Sequence, residues 1–323
     1  MESMSGDRQV ELSVITVTPN GLAAIERTLA ALRAQTARER IELVVVAPRD
    51  LPADATRLQG FAATRLVNVG PIESLGGAIA AGVRAATGTI VAYAEEHSYP
   101  DPNWAAALIE RHRGPWTAVG WALKNANPDS GTSWAHLLAD FGPGVAPVGS
   151  GERPVLPWHH VSYKREELVA CGDRLKEMLE AEGMLHEHLL AGGRRLYLDG
   201  AIASRHLNVS RVGSNVRSHF FGGRGYGSAR ARFGAWSPAR RLAYALGFPF
   251  VPVVRLWRLR PDVQRTRAGS GPRRWLFPML ALGLTVAAFG EAVGYLFGEG
   301  RTRQSRLPIE LERERHLAQR ARS

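Results

Sequence analysis

Hydrophobic positions fall into short unbroken runs through the first hundred residues, with helical spacing between them. Residues 10–18 (VELSVITVT) and 41–47 (IELVVVA) are largely apolar and rich in β-branched residues. A strand with water on one face alternates, whereas a continuous apolar run is buried on both faces, as in a parallel sheet. Two more short strands follow at 65–69 and 89–94 (TIVAYA). Between them, Ala23–Gln35 places Ile25, Leu29 and Leu32 at helical spacing, and Ser74–Ala86 reads as a small-residue helix ending at Gly88. Strands alternating with helices predict an α/β fold with a mostly parallel sheet. Trp104–His112 reads as another helix. Residues 125–155, rich in Pro and Gly, predict loops. Residues 155–164 (VLPWHHVSYK) predict a strand, and Glu166–Leu190 a mainly helical stretch broken near Gly183.

The pattern changes after Ser237. Leu242–Val254 is apolar and carries Pro249 and Pro252. Arg255, Arg258, Arg260, Arg265, Arg267, Arg273 and Arg274 follow, opposed by Asp262. Trp275–Gly298 then has a single charged residue, Glu291. That stretch is long enough to cross a bilayer, which takes roughly 20 apolar residues. Two crossings would put the arginine loop outside, against the positive-inside rule, and one crossing would leave arginines on both sides. A pair of helices broken at prolines and lying in the cytoplasmic leaflet satisfies the charges best. Each arginine near an anionic headgroup then contributes about 1 kcal/mol. A single crossing and a core-buried helix are the alternatives. The tail from Arg301 is mixed in charge and predicts an amphipathic helix or an unstructured segment.

Composition narrows the class further. A chain of 323 residues that is 45% hydrophobic and 22% charged is globular. Cys171 stands alone, which excludes an internal disulfide and any multi-cysteine metal site. The opening residues, MESMSGDRQVELS, lack the apolar centre of a secretory signal, so a reducing compartment is expected. The net charge of +11 is uneven: after residue 204 there are 22 arginines and no lysine against six acidic residues. Those arginines bracket apolar stretches instead of alternating with exposed aromatics. They therefore fit an anionic membrane surface and not a nucleic acid.

Candidate chemistry starts where the 89–94 strand ends, in Glu95-Glu96-His97-Ser98-Tyr99-Pro100. Ligands of open α/β sheets bind beyond the carboxyl ends of the strands, so these carboxylates and this imidazole stand where a ligand is expected. The run Gly222-Gly223-Arg224-Gly225-Tyr226-Gly227 is not GxGxxG and follows no clear strand, which argues against dinucleotide binding. It reads either as a mobile lid carrying Arg217, His219 and Arg224, or as a flexible linker. His186 and His188, two apart, do not share a helix face and form no metal pair.

The order of these features resembles the family 2 glycosyltransferases of the GT-A fold, over about residues 11–235. Ser13–Asn20 is similar to that family's opening strand and Thr-x-Asn turn, and Glu42–Val46 to its second strand. Ile90–Ala94, Glu95–His97 and Pro100–Trp104 resemble the strand that carries the acidic DxD motif and the Pro-x-Pro-x-Trp after it. His160–Leu168 resembles the acceptor-side segment. Glu182, Leu185, Leu189, Gly192 and Arg194 match the spacing of the catalytic helix, and Tyr197–His206 resembles the closing strand that ends in His.

The resemblance implies a Rossmann-like central sheet flanked by helices and a nucleotide-sugar donor. It implies that Glu95, Glu96 and His97 hold the donor diphosphate and a divalent metal, Mn²⁺ or Mg²⁺, with Glu96 and His97 as metal ligands. Thr18, Asn20 and Asp50 become nucleotide contacts, and Arg217 and Arg224 close over the diphosphate. Trp158, His160, Tyr163 and His206 fall on the acceptor side, and Glu182 becomes the general base of an inverting displacement. The chain also departs from the family. Ala47 and Pro48 stand where acidic residues read the nucleoside, and His97 replaces the last acidic residue of the motif. Imidazole suits Mn²⁺ better than Mg²⁺.

The expectation is therefore a glycosyltransferase on the cytoplasmic face of the cell membrane. A GT-A domain would span 1–235, a membrane-associated segment 236–300 and a charged tail 301–323. The acceptor would be lipid-linked or a cell-envelope glycan. The rival is a catalytically degenerate fold that binds a sugar nucleotide or a partner there, motivated by Ala47, Pro48 and His97.

Overall fold

The computed structural model describes residues 10–51, 55–266 and 275–318. Arg267, Arg273 and Arg274 of the basic stretch lie outside the described residues. The strands are β1 (Leu12–Val17), β2 (Ile41–Ala47), β3 (Ala63–Asn68), β4 (Ile90–Tyr93), β5 (Ser98–Pro100), β6 (Ala118–Asn125), β7 (Gly151–Glu152), β8 (Val161–Lys164) and β9 (Leu196–His206). They form one sheet in the order β3-β2-β1-β4-β8-β6-β9-β5, with β7 also on β9. β1 to β4 are parallel, and so are β6 and β9. β8 runs antiparallel to both β4 and β6, so the sheet is more mixed than the apolar runs predict.

β1, β2 and β4 are buried at every position, because helices cover both faces. Along β1, Leu12 and Val14 meet Ile25, Leu29 and Leu32 on one side of the sheet. Ile15 and Val17 meet Ile79 and Val83 of the helix Leu75–Ala85 on the other. That helix starts at Ser74, whose hydroxyl accepts from the Gly77 N–H at 3.0 Å, a common helix cap.

Four departures from the sequence reading have clear causes. The stretch expected to be loop contains a helix, Gly131–Phe141, capped by Ser130, whose Oγ accepts from the Ser133 N–H. The strand expected from 155 begins only at Val161, because the preceding loop bends sharply at His159, which has a left-handed φ of 61°. The helical break falls at Ala181, leaving Gly183 inside the helix Glu182–Ala191. Finally, the glycine run is neither lid nor linker. It lies within a continuous helix, Val212–Phe233.

Glycines cost about 1 kcal/mol each in a helix relative to alanine. Here close packing offsets that cost. A Cβ on Gly223 or Gly227 would collide with the main chain of Ala287 or Glu291 in the helix Leu276–Phe297. Reciprocally, Gly290 and Gly294 press on the main chain of Phe220 and Arg224. Two stripes of small residues thus let the two backbones touch.

The helix Leu276–Phe297 is long and apolar enough to cross a membrane, yet one face is built into the protein. Leu276, Leu280 and Leu284 join the same core as Leu12 and Trp121. Phe277, Phe289 and Phe297 of this helix stay exposed, as do Leu246 of the helix Pro238–Leu246 and Phe250, Val253 and Trp257 at and within the helix Val251–Arg265. Pro249, Pro252 and Pro278 sit at turns and first helical turns, where proline is tolerated. The tail folds back as a helix, Thr302–Leu311, and a turn, Arg313–His316. It is pinned by the main-chain N–H groups of Ser210 and Arg211, both donating to the His316 carbonyl, and by Asn20 Nδ2 donating to Glu312 Oε1 at 3.2 Å.

Candidate active site

β4 keeps its pairing with β1 through the Ala94 N–H, and the chain then turns inward at Glu95. The Glu95 side chain is 2% exposed. Its Oε1 accepts from His159 Nδ1 at 2.9 Å. Its Oε2 lies 3.4 Å from Nε2 of His97 and 3.3 Å from Nε2 of His160 and of His206. One carboxylate is therefore ringed by four imidazoles, brought together from the end of β4, the loop before β8 and the end of β9. The bend at His159 lets its ring face Glu95 while its main-chain N–H donates to Glu182 Oε2 at 2.5 Å.

Burial alone would neutralise Glu95, but the surrounding imidazoles, His97 first, and the His159 hydrogen bond hold its carboxyl well below the usual range. Burial also opposes a charge on His159; the bond to Glu95 and the nearby Glu182 win, and its pKa rises to about 9. Burial, reinforced by Arg313, pushes the His97 pKa well down, and burial takes His160 down to about 4. Asn208 Oδ1 accepts from His206 Nδ1 at 2.7 Å, which turns the His206 Nε2 edge towards Glu95.

Glu96 points the other way. Its Oε1 accepts from the main-chain N–H of Arg313 at 2.9 Å, and burial raises its pKa to about 8. The Arg313 guanidinium, 3% exposed, donates to His97 Nε2 at 2.8 Å, to Glu310 Oε2 at 3.1 Å and to His136 Nε2 at 3.2 Å. The cluster opens into a cavity of about 290 Å³. Glu95, His159 and His206 form one part of its wall, and Trp158 and Tyr226 another. Leu284, Ala287 and Glu291 of the apolar helix close it, and Arg306, Glu310 and Arg313 reach in from the tail. Asp140 also faces the cavity, 3.6 Å from His136 Nε2 and 3.5 Å from His219 Nδ1, and burial raises its pKa.

Of the residues read from the sequence, Glu95, Trp158 and His206 line the cavity, with His97 and His160 packed behind Glu95. Glu182 is buried at the cavity edge: Gly183 and Met184 line the cavity, while the Glu182 carboxylate is held on the His159 N–H. Burial raises its pKa. Tyr163 lies in the core, its hydroxyl 2.9 Å from His186 Nε2. Arg217 is exposed, and Arg224 Nε donates to the Gly298 carbonyl at 2.9 Å, so the helical glycine run carries neither over the cavity. Thr18 Oγ1 closes the following turn on the Gly21 carbonyl. Asp50 takes Asn68 Nδ2 at 3.0 Å and lines a separate cavity of about 230 Å³ at the ends of β2 and β3. Sequence reasoning missed His136, Asp140, His159, Arg306, Glu310 and Arg313. The last three had a signal: Arg306, Glu310 and Arg313 recur at helical spacing, on one face.

The donor set fits a metal ion. The ligand atoms of Glu95, His97 and His206 lie within 4.8 Å of one another. Glu95 Oε2, His160 Nε2 and His206 Nε2 are buried without a hydrogen-bond partner. A carboxylate among imidazoles suits Mn²⁺ or another transition ion better than Mg²⁺. Glu96, expected as a ligand, faces Arg313 instead.

Residues 13–168 match the model of glycosyl transferase family 2. They form a glycosyltransferase domain of that family. The parallel β3-β2-β1-β4 unit followed by β8-β6-β9 is its GT-A fold. No curated protein matches the chain. Among solved structures, S. aureus TarS 1-349 is similar at 15% identity and a TM-score of 0.44, over 69% of this chain and 66% of that one. Its complex with UDP-GlcNAc aligns at 16% identity and a TM-score of 0.42, over 62% and 59%. Its complex with UDP aligns at 15% identity and a TM-score of 0.46, over 88% and 91%. The chain thus spans two-thirds or less of the first two.

Proposed function

We propose that this glycosyltransferase moves a sugar from a nucleotide-sugar donor to a cell-envelope glycan or lipid-linked acceptor at the cytoplasmic face of the membrane. The observation that carries the reading is the buried Glu95 at the end of β4, caged by imidazoles and open to a cavity, within a family 2 domain. Glu95 and His206, with His97 or His160, are the residues that would hold a divalent metal, Mn²⁺ in preference to Mg²⁺. Such an ion would neutralise the leaving diphosphate. The chain's own groups do the rest. His159, protonated, fixes the Glu95 carboxylate. The walls formed by Trp158, Tyr226 and Leu284 exclude water from the sugar. A carboxylate takes the acceptor proton, and a single displacement then inverts the anomeric carbon. Glu182 is the proposed base, and its raised pKa suits the role. Asp140 is the second candidate, because its carboxylate faces the cavity directly.

Attachment to the membrane rests on the exposed aromatic face of the C-terminal helices, with Arg240, Arg241 and Arg258 on the same segment. This amphipathic arrangement suits helices lying on an anionic surface.

The reading is tested by thermal-shift binding of UDP, GDP, dTDP and CMP sugars with Mn²⁺, Mg²⁺ or chelator, since a ligand of the folded state raises Tm. Transfer or donor hydrolysis is then followed in Glu182→Gln and Asp140→Asn. A kcat loss of a hundredfold or more in one variant, with donor affinity kept, identifies the base. A chain that binds a sugar nucleotide but neither transfers nor hydrolyses it is the degenerate binding module instead.

A further inference from the structure

Arg306 and Arg313 both line the cavity, and both lean on one carboxylate. Glu310 Oε1 is 3.0 Å from Arg306 and Glu310 Oε2 is 3.1 Å from Arg313. The other side-chain partners of Arg313 are imidazole nitrogens of His97 and His136. Arg313 Nε is buried with no partner. Buried guanidinium groups are normally paired and their donors used. Two cations thus share the Glu310 carboxylate, and Arg313 keeps an N–H donor unused where it lines the cavity. The segment is held in register with the sheet, since the Arg313 main-chain N–H binds Glu96, next to Glu95. The carboxylate of Glu310 also lies within 4.8 Å of ligand atoms of Glu95 and His159.

We infer that Arg306 and Arg313 of the C-terminal segment form the anion site for the diphosphate of the donor. The inference rests on the transfer reading above. In the displacement, the acceptor oxygen bonds to the anomeric carbon as the bond from that carbon to the β-phosphate oxygen breaks. The electron pair leaves with the diphosphate, and the acceptor proton goes to the base carboxylate. The charge that develops on the diphosphate falls beside two guanidinium groups already in place, so little reorganisation is needed. Both arginines lie beyond the stretch matched by the family model, so the chain supplies this cationic wall from its own C-terminus.

The test uses the full chain, with inorganic pyrophosphate as a probe that needs no knowledge of the nucleobase, and UDP, GDP, dTDP and CDP beside it. Titration calorimetry is run with Mn²⁺ and with chelator on wild type, Arg313→Gln, Arg313→Lys, Arg306→Gln and the control Arg303→Gln. Pyrophosphate affinity is expected to fall at least tenfold in Arg313→Gln and Arg306→Gln under both conditions. Arg313→Lys should recover part of it, and Arg303→Gln none of the loss. Melting curves establish which variants fold; if Arg313→Gln does not, Arg306→Gln and Arg313→Lys decide. Folded variants that bind pyrophosphate like wild type, or that lose affinity only with Mn²⁺ present, overturn the inference while leaving the transferase reading intact. A wild type that binds neither pyrophosphate nor any nucleoside diphosphate sinks both.

Discussion

The parallel unit β3-β2-β1-β4 and the helical third after residue 212 are both rich in apolar residues, but they spend them on different partners. In the parallel unit, alternate residues of each inner strand meet helices on opposite faces, and the core is closed. In the C-terminal third, the long apolar helix turns glycines towards a neighbouring helix, Leu284, Ala287 and Glu291 towards the cavity, and phenylalanines outward. Glu291, the one charge that interrupts its sequence, is paired with Arg255 at 2.5 Å on the cavity side. A run of apolar residues therefore says how much surface avoids water. It does not say whether protein or lipid covers that surface.

The sharpest way to break the comparison is at the helix contact. Gly290→Ala places a methyl against the Phe220 carbonyl, where main chain cannot yield, and should cost about 2–3 kcal/mol or more in thermal unfolding. The same change at Gly82 in the parallel unit meets side-chain atoms of Ile15 and Val46, which yield only by repacking a buried core, and should cost less than main chain does at Gly290. Equal losses would mean that the glycine stripe has no special role.

The outward face comes next. Phe250→Asp with Trp257→Asp should weaken cosedimentation with anionic vesicles about thirtyfold, at roughly 1 kcal/mol of lost apolar burial per residue. Unchanged vesicle binding would remove the membrane from the account of this face.

A smaller effect concerns pH. Burial pushes His112 and His186 down to about 4, so they are neutral in the fold, whereas unfolded histidines titrate near 6.5. The stability this confers is complete above pH 6.5 and is lost as pH falls towards 4. Tm should drop across that window, and His186→Gln should flatten the drop. A wild-type Tm that stays level from pH 6.5 to 4 would refute it.

The smallest effect is a gain. Gly222→Ala faces open space on the same helix as Gly223 and should add up to about 1 kcal/mol. A loss there would show that the helix needs the glycine for something other than packing.

Much of the fold was legible because local pattern and global burial agree in it. β1, β2 and β4 are largely apolar and turned out buried throughout, and Trp104–His112 forms as its spacing predicts. The site was legible at one end only. Glu95 and His97 were visible because strand ends collect ligands in such sheets, and His160 and His206 through the family resemblance. His159 was hidden in the same His-His pair, since only the backbone bend brings its ring to Glu95 beside that of His160. Glu96 and Glu95 look alike in sequence, yet one is ionised among imidazoles and the other is aimed at Arg313 and raised to about 8. Tyr163, Arg217 and Arg224 have suitable chemistry but no path to the cavity.

The sequence by itself determined the alternating strands and helices, the acidic end of β4, the family to which residues 13–168 belong and the cationic, apolar character of the C-terminal third. These follow from the periodicity of apolar residues and from residue types at fixed spacing, which are properties of short segments. Tertiary structure alone decided that the glycine run is a helix contact, that the apolar helix walls the cavity, and that Arg306, Glu310 and Arg313 return over a distance of more than two hundred residues to the end of β4. Such long-range pairings depend on which surfaces remain free once the sheet and its helices have packed, and no local pattern carries that information.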